Sequence, residues 1–275
     1  MGALLALTSA VCYGLVDFAG GLLSRRVHFT AVSLLGQLGG LLLALVAALA
    51  VPAGAPHAPD LLWGALSGVG SGTAMHFLNR GLSRGAMSVV VPVSAVTGVA
   101  LSVLCGVLVL GDRPGLTAWA GIAVTVPALW LVCGPGPGGP GPAVADGLLA
   151  SAGVAVQYLA LGQAGPGSGL WPVVAGRVAA VLLLLPGGMR HPGRLRLPPR
   201  QTAQALLIGA GAALGLILYL LAAQRQLLAV AVVLASLYPA LPVVLGVALL
   251  REPVTGRQVA GLLGAGAATV LLTLG

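Results

Sequence analysis

Residues 95–112 read AVTGVALSVLCGVLVLGD, and residues 235–252 read ASLYPALPVVLGVALLRE. At this offset of 140 residues Ala95, Ala100, Val103, Gly106, Val107 and Leu110 face Ala235, Ala240, Val243, Gly246, Val247 and Leu250, and Asp112 faces Glu252. The register continues on both sides. Ala120-Gly121 meets Ala260-Gly261, Gly36-Gln37 meets Gly176-Arg177, and the small residues Gly70 to Thr73 meet Ala210 to Ala213. At the start of each half the offset becomes 145, so that Gly2, Leu4 and Tyr13 meet Gly147, Leu149 and Tyr158. Matches among Leu, Ala, Val and Gly are expected by chance in such a chain. The weight rests on the rarer pairs and on one offset serving four consecutive segments. A chain built twice from one apolar unit reads as a membrane protein with internal repeats.

Composition agrees. The 275 residues are 58% hydrophobic and 7% charged, with mean hydropathy +1.06, whereas a soluble domain carries roughly 25% charge. The apolar runs are near 20 residues, enough at about 1.5 Å per residue to cross a hydrocarbon core of about 30 Å. Ten spans are predicted, over about 3–23, 30–51, 61–79, 87–110, 116–133, 147–164, 169–185, 204–223, 227–250 and 258–274. The fold class is therefore an all-α integral membrane protein, with the lipid bilayer as its first partner. The net charge of +8 comes with 13 basic residues, all Arg, set mostly at span ends. That pattern suits anchoring and orientation and argues against nucleic acid. Cys12, Cys105 and Cys133 lie inside apolar spans with no paired or metal-like spacing, so they read as packing residues. The first segment lacks a positive n-region and carries Tyr13 and Asp17, which makes it a span and not a cleavable signal.

Domain organisation follows from one Gly/Pro stretch, Gly134 to Pro142, which holds neither helix nor strand well. It divides the chain into a first five-helix repeat (1–133), a linker (134–145) and a second five-helix repeat (146–275). Five is odd, so the second repeat enters the bilayer from the opposite side and the two are inverted. Such repeats place a substrate between them near the midplane. Each repeat also has a polar break before its last span, Gly111 to Gly115 and Arg251 to Gly256. There Asp112 and Glu252 precede Pro, as suits the first turn of the following helix. Gly64, Gly68 and Gly72 stand four apart on one face of the third span, as Gly211 and Gly215 do in the eighth, which predicts close helix contacts.

Several of these residues carry a resemblance. Tyr219-Leu220-Leu221-Ala222-Ala223, Val233-Leu234-Ala235-Ser236-Leu237-Tyr238-Pro239, Leu249-Leu250-Arg251-Glu252-Pro253 and Gly261 together resemble the EamA branch of the drug/metabolite transporter superfamily. Tyr13-Gly14, Leu110-Gly111-Asp112-Arg113 and Gly121 extend it more loosely into the first half. The first half departs from the pattern at Asp112, where the family usually has Glu, and at Val99, where it has Pro. The resemblance implies a ten-helix inverted-repeat carrier of the cell membrane, its central cavity lined mainly by helices one, three, four, six, eight and nine. Members usually export amino acids, other metabolites or drugs.

An ionisable group inside a span costs roughly 2.5 to 3.5 kcal/mol on insertion scales, so Asp17 and Arg177 call for explanation. Ser9, Tyr13 and Asp17 follow at four-residue spacing, forming a polar stripe on the first helix. Asp17 is a candidate for a cationic substrate or a coupling proton; its structural alternative is a pair with Arg25 or Arg26. Arg177 is a candidate clamp for a carboxylate, or a tie between helices, with Gln37 at the same depth in the other repeat. Spacing does not support a direct Asp17–Arg177 pair. Thr73, His76 and Asn79 share a face of the third span, with Tyr219 at the position of Asn79 in the eighth. They read either as cavity lining or as helix ties. Gln157 and Tyr158 on the sixth helix complete the candidate lining. Pro92, Pro239 and Pro242 interrupt the fourth and ninth spans and are hinge candidates, with Ser236 and Tyr238 beside the break. No second ligand has metal spacing with His76, so no metal or other cofactor is expected.

Ten arginines follow odd-numbered spans and two follow even ones. The positive-inside rule then puts both termini outside, whereas the resemblance implies that they are cytoplasmic. The function these readings define is secondary transport of a small molecule by alternating access, with protons as the candidate coupling ion. No phosphate-binding Gly-Lys-Ser/Thr run is present for ATP. A non-transporting assembly or sensory subunit is the alternative. An intramembrane enzyme is disfavoured by the scarcity of acids, five in all, four of them near span ends.

Overall fold

A chain immersed in hydrocarbon must satisfy its backbone internally, and this one does so with helices. The computed structural model describes residues 2–110, 115–133, 141–225 and 238–274, and contains no strand among them. In chain order the helices are α1 (Gly2–Ser24), α2 (Phe29–Ala50), α3 (Ala58–Arg84), α4 (Met87–Cys105), α5 (Leu116–Cys133), α6 (Pro142–Gly162), α7 (Trp171–Met189), α8 (Pro199–Arg225), α9 (Ala240–Leu250) and α10 (Gly256–Leu274). A π-helical turn, Gly106–Leu110, prolongs α4. Six of them, α1, α2, α4, α6, α7 and α8, are long and apolar enough to cross a membrane, while α5, α9 and α10 are shorter apolar helices. At 27 residues α3 is long enough, but Ser67, Ser71, Thr73, His76, Asn79 and Arg80 dilute its hydropathy.

Some boundaries differ from those read in the sequence. Helix α6 begins at Pro142, inside the predicted linker, because proline at N1 gives up only an N–H that has no intrahelical acceptor. The break before α10 also works differently from expectation. Thr255 caps α10 with a reciprocal capping box, in which its N–H donates to Gln258 Oε1 (2.9 Å) and the Gln258 N–H donates to Thr255 Oγ1 (3.3 Å). Glu252 is thereby released from the first turn of α10 and acts elsewhere.

The helices pack as two reciprocal halves. Helix α3 lies against α6 and α7, α8 lies against α1 and α2, and α5 pairs with α10. In the last pair a Cβ on Gly121 would lie 2.8 Å from the Leu272 nitrogen, and one on Gly261 would lie 2.7 Å from the Val132 nitrogen. Since 121 and 132 become 261 and 272 at the repeat offset, one contact is the image of the other. The predicted glycine faces behave likewise. Gly64, Gly68 and Gly72 meet Pro172, Gly176 and Ala180 of α7 in register, Gly211 and Gly215 of α8 meet the Val16 and Tyr13 side chains of α1, and Gly209, outside the predicted pair, meets Gly36 of α2. At Gly64, Gly68 and Gly209 a side chain would overlap the neighbouring backbone, so small residues set the helix spacing.

The contacts also define two ends of the bundle. At one end Arg25, after α1, donates to the carbonyls of Leu82 (3.2 Å) and Gly85 (3.0 Å) after α3, and pairs with Glu252 (3.1 Å) before α10. At the other, Asp60 of α3 accepts from the Gly165 N–H (2.8 Å) and the Ser168 hydroxyl before α7.

Candidate functional site

The interior is built from the polar stripe on α1. Ser9 is fully buried and donates to the Gly215 carbonyl of α8 at 2.7 Å, which fixes the rotation of α1. One turn on, the Tyr13 ring lies against Gly215, 3.0 Å from where a Cβ would stand. The same ring faces Tyr238 with centroids 5.9 Å apart and a tilt of 54°. Tyr238 lies within electrostatic reach of Tyr158, Asp17 and Tyr13. Four of the sequence candidates, from α1, α6 and the segment entering α9, thus converge on one region. Within it Asp17 is half-buried and has no hydrogen bond or ion pair among the described residues. The predicted pair with Arg25 or Arg26 is not formed: Arg25 is engaged with Glu252, and Arg26 has no ion pair among the described residues.

Arg177 is 5% exposed, and its Nη1 donates to Gln37 Oε1 at 2.7 Å. Gln37 in turn reaches Ser71 of α3. The space beside Arg177, lined by Gln157, Ser67, Ser71 and Leu216, is about 10 Å³, the size of about one water. Arg177 and Gln37 therefore form a polar tie, and the space between Arg177 and Gln157 has room for about one water.

The remaining candidates lie apart from this region. Asn79 is buried and donates to Ser33 Oγ of α2 at 3.1 Å. His76 faces a groove between α3 and α7, with its ring edge-on to Phe29 (5.2 Å). Pro92 sits inside a continuous α4. Pro239 is the N-cap of α9 and Pro242 lies in its first turn, where no helical bond is lost. Tyr219 belongs to α8 but its side chain is outside the described set, and Ser236 lies outside the described residues altogether.

Two ionic clusters were not anticipated. Asp146, 2% exposed in the first turns of α6, pairs with Arg80 and with Arg84 (3.5 Å) at the end of α3. Its signal was an acid just past the Gly/Pro stretch, obscured by treating that stretch as a spacer. Glu252 accepts from the N–H groups of Met87 (2.9 Å) and Ser88 (3.0 Å), capping α4 from across the repeat boundary. Burial alone would raise the Glu252 carboxyl, but those N–H groups and Arg25 outweigh it and hold it below its ordinary value of 4.5. At the opposite end, the Gly165 N–H and then the Ser168 hydroxyl hold Asp60 below the usual aspartate value.

Among the described residues the helices, six of them long and apolar enough to cross a membrane, and the two reciprocal halves define a multi-pass membrane protein. The match to known proteins gives the particular family. The model of the EamA-like transporter family matches residues 1–134 and again 146–274, and the chain belongs to this family, a branch of the drug/metabolite transporter superfamily. A solved structure described only as "Crystal structure of protein" is similar in fold, with TM-score 0.57 and 18% identity over 99% of this chain and 96% of that one. No curated protein matches the chain.

Proposed function

We propose that this protein is a secondary carrier of the cell membrane that exports a small metabolite, amino acid or drug by alternating access between two inverted five-helix halves. Ten spans, five in each half, give the inversion, and α1, α6 and the segment entering α9 bring the substrate groups together. The observation that carries the reading is Asp17: a carboxyl inside an apolar span, among Tyr13, Tyr158 and Tyr238, without a hydrogen bond or ion pair among the described residues. A structural carboxylate in hydrocarbon would be paired. An unpaired one beside aromatic hydroxyls is suited to a cation or a proton that comes and goes. The tyrosines supply apolar faces and hydroxyls for an amphipathic molecule.

The test is flux across proteoliposomes, screened over amino acids, nucleosides and cationic drugs with an imposed pH gradient. Asp17→Asn is expected to abolish gradient-driven flux while leaving the purified protein folded. Unchanged pH-driven uptake by this variant removes Asp17 from the mechanism. Absence of flux for every compound, together with a partner retained on purification, favours an assembly role.

A further inference from the structure

A cavity separate from the interior site opens between α3 and α7 near the arginine-rich end of the bundle. It holds about 450 Å³, within the range of about 300 to 1,000 Å³ typical of ligand clefts. Its walls are apolar, formed by Phe29, Phe77, Leu183 and Leu184, and its mouth carries the guanidinium groups of Arg190 and Arg194 beside His191. No acid lines it. Asp146, within electrostatic reach of His76, is already engaged by Arg80 and Arg84, and Arg80 itself lies over the Phe77 ring at 4.5 Å. Neither Arg190 nor Arg194 has an ion-pair partner among the described residues. Deeper in, His76 Nδ1 is buried with no hydrogen-bond partner among them.

We propose that this groove holds the headgroup of an anionic phospholipid. The charge pattern selects the occupant. Paired arginines without acids, placed where α7 ends, match a phosphate at the bilayer interface. The apolar walls match the start of an acyl chain, which a soluble anion lacks. The site is independent of the transport reading, because it lies on a different helix pair from Asp17.

The purified full chain in neutral detergent is titrated with phosphatidylglycerol, phosphatidylcholine or inorganic phosphate, and bound lipid is read by native mass spectrometry and melting temperature. Phosphatidylglycerol is expected to bind and raise the melting temperature, and the other two are not. Arg190→Gln with Arg194→Gln is expected to weaken binding by about fivefold per arginine, hence roughly 25-fold together. Arg26→Gln with Arg200→Gln, equal in charge change but outside the groove, is expected to leave it intact. Gly187→Leu provides a test that alters no charge, because a Cβ there meets nothing within 4 Å and the side chain would fill the groove; it is expected to displace the lipid. Equal binding of the two lipids, equal loss in both arginine pairs, or unchanged binding in Gly187→Leu overturns the proposal. Competition by inorganic phosphate overturns the lipid as the source of the anion.

Discussion

Arg177 and Gln37 occupy the same position in the two repeats, and they bond to each other. Residues that are images of one another can meet only where the two halves meet, so this pair marks the join between them. A guanidinium that is 5% exposed depends on that partner, because its charge cannot be shed. Gln37→Leu is expected to destabilise the protein by about 1 to 3 kcal/mol through the orphaned donor. The double change Gln37→Leu with Arg177→Leu should be milder than the two single effects summed. Melting temperatures of the four proteins of this cycle measure the coupling; simple additivity would show that the pair is not a unit. The pairing of positions was legible in the sequence as two polar residues at one depth. The bond was not, because spacing along a chain says nothing about which helices cross.

At the scale of elements, one carboxylate ties three helix ends. Glu252, before α10, accepts from the first N–H groups of α4 and from Arg25 after α1. Sequence placed this acid in the first turn of the helix that follows it, which is where such acids usually act. The Thr255–Gln258 box already satisfies that turn, and the donors at the start of α4 were left for Glu252. The glycine stripe of α3, by contrast, was readable, because a repeat of four on a helix defines a face whatever it touches; in α8 the stripe read as Gly211 and Gly215 packs on α1 side chains, and the backbone crossing with α2 falls at Gly209. Glu252→Gln is expected to lower stability by about 1 to 3 kcal/mol at neutral pH. Its carboxyl is held below 4.5 in the folded protein, so the wild-type latch contributes fully above that value. It loses this contribution as pH falls through the lower folded-state value. Thermal melting between about pH 7 and pH 3 should show a wild-type decline below about pH 4 that the glutamine variant lacks in this component. Identical profiles would remove the latch from the stability of this end.

For the whole molecule, charge and fold together bear on which end faces the cytoplasm. Arg25, Arg26, Arg84, Arg190, Arg194, Arg196, Arg200, Arg251 and Arg257 flank helix ends that the contacts through Arg25, Glu252 and Asp146, and the packing of the α7–α8 connection on α2, bring to one side. The opposite end is held by Asp60, Gly165 and Ser168 and carries the connections 51–57 and 163–170. An arginine bias of this size orients a helical membrane protein with its basic side inward. The family resemblance favoured cytoplasmic termini instead, which would put that basic side outside. Single cysteines at Ala55 and Gly193, introduced after replacing the native thiols, stand in exposed connections at opposite ends. With a membrane-impermeant maleimide on intact cells, Ala55→Cys is expected to label directly and Gly193→Cys only after permeabilisation. The reverse pattern would put the arginine-rich end outside, and the anionic-lipid groove between α3 and α7 would then face the outer leaflet.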